Sequence, residues 1–494
     1  MSEDVKGLKE TTIRSVGIVY GMVAFTKLLN LLALVVLARI LIPEDFGLVG
    51  LSAIIIGIVA LFKDFGLSAA YVHRTKDLDD AANIVFWSNV GIRLFLYVVV
   101  FLIAPFVAGF FGEPLVDPIL KIAGISFVIE SLGSAHSARL TKELKFGKIA
   151  IASVVTATVI TVSSVILALA GYSFWSLVYA SLIGEPVSVI LYWTLCRWRP
   201  TFSFKRRVAK QMFVYGRDIV GINSLGFGVK NLDNFAVGKG IGANALGEYT
   251  LAYRFGLFSS TNIVSLLARV LFPAYAKIKD NLARIKRAYL KSFYPISMLA
   301  FPVAFGLVLL AEEFVLFVLG PNWMAVVVPL QVLSIYGLLN SLAGAGWNVF
   351  LAMGKTKIPL KISALEVLMM LAMLYPAVHY GGLMGVAMAV TIAIAVGSSI
   401  SMFLVVRLLK VRKHEFFPMI QNPLVSSLVM LSVLLAVKTV APLSLPVFIG
   451  EVVLGLFVYV AVLQTVSKGE LKRQVQEIAS ALRAKGESKR SADE

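Results

Sequence analysis

Fourteen long apolar stretches fill most of this 494-residue chain, and their length decides what it can fold into. They lie near 15–38, 47–66, 84–108, 119–138, 149–170, 174–196, 213–237, 247–268, 292–317, 325–351, 360–378, 383–406, 424–441 and 445–466. A helix needs roughly 20 apolar residues to cross a bilayer, and most of these runs reach that length. Barrel strands would instead alternate apolar and polar positions over about 10 residues. With 59% hydrophobic and 15% charged residues, the composition is that of an all-α integral membrane protein of about 14 transmembrane helices. The runs near 360–378 and 424–441 are the shortest.

The formal net charge of +18 raises the question of nucleic acid, and the placement of the cations answers it. With the N-terminus inside, 38 of the 46 Lys and Arg fall in alternate loops or the tail, on one side of the membrane. The opposite loops hold Arg39, Lys121, Lys239 and Lys438. This is the positive-inside bias, and it predicts an even number of crossings with both termini in the cytoplasm. Basic loops beside anionic lipid account for the charge, so no nucleic-acid partner is expected. The first apolar stretch is too long for a signal-peptide core and lacks a small-residue cleavage site, which predicts that it stays as the first helix.

The chain also echoes itself. Residues 211–407 repeat the layout of residues 14–197, with an offset of 200 across the first two helices of each half. Arg39 answers to Lys239, Leu41 to Ile241, Gly47 to Gly247 and Leu51 to Leu251. Six helices per half is an even number, so both halves enter from the same face and are parallel repeats about an axis along the membrane normal. The expected organisation is an N-lobe over 1–197, a basic linker over 198–212, a C-lobe over 213–407, two added helices over 408–466 and a charged tail over 467–494. The stretch Arg197–Lys210 is polar and long enough to let the halves move. Between 274 and 291, Ile278, Leu282, Ile285 and Tyr289 recur at helical spacing among basic residues, which fits an amphipathic helix on the inner membrane surface or a solvated connector.

Duplicated hydrophobic halves mark transporters that alternate access around a central site, and the chemistry of an enzyme is missing. Gly354-Lys355-Thr356 ends like a phosphate-binding loop but has Val349 where a glycine is needed. His414-Glu415 lacks the second histidine of a zinc helix, and Cys196 is the sole cysteine. No metal or cofactor is expected, and the short opposite-side loops leave no room for a catalytic domain.

Ionisable residues within apolar helices cost about 2.5–3.5 kcal/mol each to insert, which makes them functional candidates. Lys27 in the first helix and Lys230 in the seventh occupy matching faces of the repeat and are expected to bind an anionic group across a central cavity. Asp233, three residues on from Lys230, is the alternative charge partner. Arg93 and Arg254 extend the cationic set, although snorkelling accounts for either. Lys63-Asp64 is a candidate gate or interface pair. Glu130, Glu185 and Glu366 are candidates for ion coupling. Gly17 and Gly21 form a packing motif, and Pro105, Pro186, Pro302, Pro329 and Pro376 permit local bending.

Several motifs together carry a family likeness. Ala38-Arg39-Ile40-Leu41-Ile42-Pro43-Glu44-Asp45-Phe46-Gly47-Leu48 resembles the first-loop signature of polysaccharide transporters, the O-antigen and teichuronic-acid type flippases of the multidrug/oligosaccharidyl-lipid/polysaccharide superfamily. Asn231-Leu232-Asp233, Leu246-Gly247-Glu248-Tyr249, Ala252-Tyr253, Leu271-Phe272-Pro273-Ala274, Phe174-Trp175-Ser176-Leu177-Val178 and Trp198-Arg199-Pro200 are similar to that family as well. The resemblance implies translocation of an oligosaccharide on a polyprenyl pyrophosphate or phosphate, from the cytoplasmic to the outer leaflet of the cell membrane, by alternating access around a cationic cavity. It places Lys27 where related lipid II flippases carry a basic residue, here a point charge rather than a guanidinium fork. Implied partners are lipid-linked oligosaccharide, membrane lipids and glycan polymerases or glycosyltransferases, with the protein itself a monomer. Two rival readings stay open: a drug or metabolite exporter of the same superfamily driven by sodium or protons, and a scaffold that recruits glycosyltransferases.

Overall fold

The computed structural model describes residues 2–203, 205–264, 271 and 274–467. The described residues are almost wholly helical, and eleven helices among them are long and apolar enough to cross a membrane. The chain forms two compact units, Met1–Thr250 and Leu251–Glu494.

The first unit contains α1 (Ser2–Ile40), α2 (Pro43–Ala60), the short α3 (Leu67–His73), α4 (Leu78–Phe111), α5 (Val116–Lys142), α6 (Phe146–Leu169), α7 (Trp175–Leu195), α8 (Arg206–Gly240) and the start of α9 (Ala243–Gly256). Helix α2 starts where Pro43 supplies a preset φ at the first helical position. Asp45 then reaches back to accept the Ile42 amide at 3.1 Å. The same carboxylate accepts the Ser173 hydroxyl and, at 3.1 Å, the Phe174 amide. Two of the family-like motifs therefore meet at one acid.

The repeat reappears as a contact. A Cβ on Gly47 would stand 1.7 Å from the Ala243 carbonyl oxygen, and one on Gly247 would stand 1.8 Å from the Pro43 carbonyl oxygen. Positions 43 and 47 lie 200 before 243 and 247, so each contact is the other with its two sides exchanged. Helices α2 and α9 cross here at backbone distance, and only glycine permits that approach.

The basic linker is held rather than slack. Asn83 of α4 accepts the Thr201 amide and donates to the Thr201 hydroxyl, both at 2.8 Å. Trp87 Nε1 donates to the Thr201 carbonyl at 3.1 Å, and the Trp87 ring stacks on Phe202 at 4.2 Å. Asp80 takes the Ser203 hydroxyl at 2.7 Å and Lys205 Nζ at 2.6 Å. Beyond it, Val208, Ala209 and Met212 of α8 join Leu67, Tyr71 and Val85 in one buried cluster. This stretch is strapped on α4, where its polar side chains find partners.

The second unit contains the rest of α9, one turn of π-helix (Ser259–Val264), α10 (Leu282–Leu309), a short turn (Ala311–Phe314), α11 (Val327–Ala352), α12 (Lys357–Leu408), α13 (Lys413–Lys438) and α14 (Leu445–Val466). Helix α12 is two arms. At 52 residues it would run about 78 Å if straight, against a bilayer core of about 30 Å. Gly382, at φ 52° and ψ −141°, reverses it, so that a Cβ on Gly385 would stand 2.4 Å from the Ala377 carbonyl oxygen. The arms correspond to the stretches expected at 360–378 and 383–406. Helices α8 and α9 fall outside the eleven long apolar helices, carrying Lys230, Asp233, Lys239, Glu248 and Arg254.

The apolar stripe of the stretch at 274–291 packs against protein. Asn281 caps α10 by accepting the Arg284 amide at 3.0 Å, and the helix continues to Leu309. Its Ile285 and Tyr289 are fully buried with Phe293, Val349, Phe350 and Leu409. The apolar stripe is covered by protein, with Lys286 paired to Glu415 at 2.5 Å on the polar side. Helices α13 and α14 dock on α10 through Ser297 Oγ to the Met419 carbonyl, 2.7 Å, and Tyr459 OH to the Met298 carbonyl, 2.7 Å. Lys438 closes the far end, 2.5 Å from buried Glu313.

Candidate functional site

Within the first unit, the turn after α2 and helices α3 to α5, α7 and α8 line a cavity of about 800 Å³. A break after α2 builds its wall. Phe65 and Gly66 both take positive φ, 44° and 67°, and the Asp64 carboxylate accepts the Gly66 amide at 2.7 Å. Gly66 lies so close to Gly216 that a Cβ would come within 2.7 Å of the Gly216 Cα. The chain turns here instead of extending α2, which leaves Lys63 lining the cavity.

Lys63 meets the carboxylate of Glu130 on α5 at 3.0 Å, and Arg93 on α4 meets the other oxygen at 2.8 Å. The Arg93 side chain is 3% exposed, whereas Lys63 and Glu130 are 38% and 40% exposed. Arg93 also donates to the Phe127 carbonyl at 3.2 Å and lies 5.2 Å from the Phe127 ring centre. Glu185 of α7 lines the same cavity and, among the described residues, forms no ion pair. Two cations therefore face three carboxylates, and both cations are engaged by Glu130. The remaining lining is rich in hydroxyls.

Of the residues singled out from sequence, Lys63, Asp64, Arg93, Glu130 and Glu185 come together here. The others lie elsewhere. Lys27 is half-buried on α1, and Lys230 is exposed on α8. Asp233 is 1% exposed, accepting the Tyr249 hydroxyl at 2.9 Å and the Asn234 amide at 2.8 Å. Among the described residues no ion pair joins it to Lys230. Arg254 is exposed and belongs to the second unit, as does Glu366. Glu366 is buried against Gly397, where a Cβ would stand 1.9 Å from Oε1.

The hydroxyl lining is encoded in the sequence as helical spacing. Glu130, Ser134, Ser137 and Thr141 fall at i, i+4, i+7 and i+11 on α5, and Glu185, Ser188 and Tyr192 at i, i+3 and i+7 on α7. Each set is one face of a helix. Among the described residues no group of three or more His, Cys, Asp or Glu could hold a metal ion. The arrangement offers hydrogen bonds to an uncharged ligand and no surplus positive charge.

Comparison with known proteins adds the family. Residues 36–328 match the sequence family described as polysaccharide biosynthesis protein. The chain is 27% identical to the lipopolysaccharide biosynthesis protein WzxC of Escherichia coli (strain K12), over 74% of each protein. It is 28% identical to the teichuronic acid biosynthesis protein TuaB of Bacillus subtilis (strain 168), over 73% of this chain and 75% of that one. Among solved structures, the lipid II flippase MurJ in an inward closed conformation superposes with a TM-score of 0.75 at 14% identity, covering 92% of this chain and 99% of that one. An inward-facing multidrug resistance MATE family transporter superposes with a TM-score of 0.60 at 18% identity, covering 78% and 94%.

Proposed function

Because the chain belongs to the polysaccharide biosynthesis protein family, we propose that it translocates a polyprenyl-(pyro)phosphate-linked oligosaccharide across the cell membrane, from the cytoplasmic to the outer leaflet. The observation that carries this reading is the family match over residues 36–328, reinforced by relatives named for lipopolysaccharide and teichuronic acid synthesis. The fold shared with MurJ supports alternating access as the mechanism. The protein acts as a transporter and not as an enzyme. In this reading both termini are cytoplasmic, the protein works as a monomer, and glycan polymerases or glycosyltransferases are its neighbours.

The anionic group of the carrier lipid falls to cations outside the cavity described above. Lys27 and Lys230 lead, one in each half of the repeat, and Arg254 follows. Arg93 acts by holding Glu130 and Lys63 instead of contacting phosphate. Glu366 is the carboxylate proposed for ion coupling. The test is depletion of the protein with tracking of lipid-linked oligosaccharide by leaflet. Accumulation on the cytoplasmic side is expected; unchanged delivery to the outer leaflet would remove the reading. Lys27→Ala with Lys230→Ala is expected to abolish delivery while the protein stays in the membrane.

A second reading, export of small cationic compounds, is favoured by the carboxylate excess in the cavity. Intracellular accumulation of a cationic dye on depletion, with oligosaccharide delivery intact, would select it.

A further inference from the structure

The cavity of the first unit is poorly suited to the phosphate of such a cargo. Arg93 and Lys63 both close on Glu130, at 2.8 and 3.0 Å, and the Asp64 carboxylate is taken by the Gly66 amide. A phosphate entering here would meet Glu185 with no free cation to offset the repulsion. Nor is the cavity suited to a divalent metal, since among the described residues no group of three ligating side chains is present.

What the lining does present is the chemistry that sugars need. Glu185 and the hydroxyls of Ser188 and Tyr192 lie on one face of α7 and all line the space. Among the described residues, none of the three side chains makes a hydrogen bond within the protein. A carboxylate accepts from two neighbouring hydroxyls at once, with charge-assisted bonds roughly twice as strong as neutral ones. Tyr215, 44% exposed, stacks on His73 with ring centres 5.3 Å apart and adds an aromatic surface at the lining. Aromatic rings joined to a polar tip suit the apolar face of a sugar ring. The volume of about 800 Å³ lies within the range of roughly 300–1,000 Å³ common for ligand sites.

We infer that this cavity receives neutral or amino sugar residues of the cargo. Glu185 accepts their hydroxyls, Ser188 and Tyr192 complete the hydrogen bonding, and Tyr215 stacks against a ring. The inference rests on the flippase reading and deepens it: the lipid-borne phosphate and the sugar are bound by different residues, and glycan selectivity belongs to α7. Cargo that places a uronic acid here is disfavoured by Glu185.

The test uses the full-length protein in lipid nanodiscs with four probes: a polyprenyl phosphate without sugar, and polyprenyl pyrophosphates carrying N-acetylglucosamine, galactose or glucuronic acid. At least one neutral-sugar lipid is expected to bind tenfold or more tightly than the bare phosphate and than the glucuronic acid form. Glu185→Gln and Ser188→Ala are each expected to remove most of that preference while leaving affinity for the bare phosphate unchanged. Tyr215→Ala, on a different helix, provides an independent variant should the α7 variants misfold. No preference in the wild-type protein, or equal losses toward bare and sugar-bearing lipid, overturns the inference. So does intact sugar preference in Glu185→Gln accompanied by loss of sodium- or pH-dependence of transport, which would make Glu185 an ion site. Failure of the wild-type protein to bind any polyprenyl probe would instead sink the flippase reading, and this inference with it.

Discussion

Arg93 and Glu130 form a salt bridge of 2.8 Å in which the cation is almost wholly enclosed and the anion is open to a cavity. That asymmetry sets the order of effects on mutation. Arg93→Ala removes the enclosed partner while Glu130 keeps Lys63 and stays open to the cavity, and is expected to cost about 1.5–3 kcal/mol, the scale of a hydrogen bond to a charged group. Lys63→Ala removes a partner that is 38% exposed and is expected to cost under about 1 kcal/mol. Thermal unfolding of the detergent-purified variants measures both, and equal destabilisation would contradict the assignment of Arg93 as the positioning group.

The crossing of α2 and α9 predicts that Gly47→Ala and Gly247→Ala are both severe. Each Cβ would fall within 1.8 Å of a backbone oxygen, which no rotamer change relieves. Overpacking costs roughly 1–3 kcal/mol where side chains can shift, and a backbone obstacle pushes beyond that. Loss of monodisperse protein in size-exclusion chromatography is the expected readout. Gly21→Ala serves as the control, because a Cβ there meets nothing within 4 Å.

Removing the strap's anchor should loosen a basic segment. Asn83→Ala deletes two hydrogen bonds of 2.8 Å to Thr201, each contributing about 0.5–1.5 kcal/mol. Limited trypsin digestion at Arg197 and Lys205 is then expected to run several-fold faster than in the wild-type protein. An unchanged rate would show that the Trp87 contacts alone hold the strap.

A pH effect follows from the turn between α5 and α6. Lys145 beside Glu143, at 2.6 Å, and then Arg139 hold the Glu143 carboxyl below its ordinary range. A depressed folded value means stability that is present above the ordinary carboxylate range near about pH 4.3 and lost as pH falls through the folded value. Glu143→Gln should flatten that part of the acid limb of a melting-temperature profile. An acid limb identical to wild type would remove Glu143 from the account.

Apolar run length and the 200-residue offset were enough to read the helices and the pairing of Gly47 with Gly247 as repeat equivalents, because both are encoded locally and repeated; the crossing at those glycines needed the structure. The partners of charges were not readable in the same way. In sequence Lys63 adjoins Asp64, whereas its carboxylate partner is Glu130, 67 residues on. Asp233 stands one turn from Lys230, whereas the Tyr249 hydroxyl is its partner. Periodicity in 274–291 identified an apolar stripe correctly but not what covers it, since lipid and a neighbouring helix ask for the same residues. The bend at Gly382 hides two arms in one apolar run, and only a positive φ at a glycine reveals it.

The reciprocal contact at Gly47 and Gly247 has a bearing on ancestry. Pro43 meets Gly247 as Ala243 meets Gly47, so the surface patch on each side is matched to its own image. That is the form of an isologous interface between identical subunits. A half-length chain pairing at this crossing would have met both halves of the contact with one glycine. In a single chain the two sides can change separately, and Pro43 and Ala243 do differ.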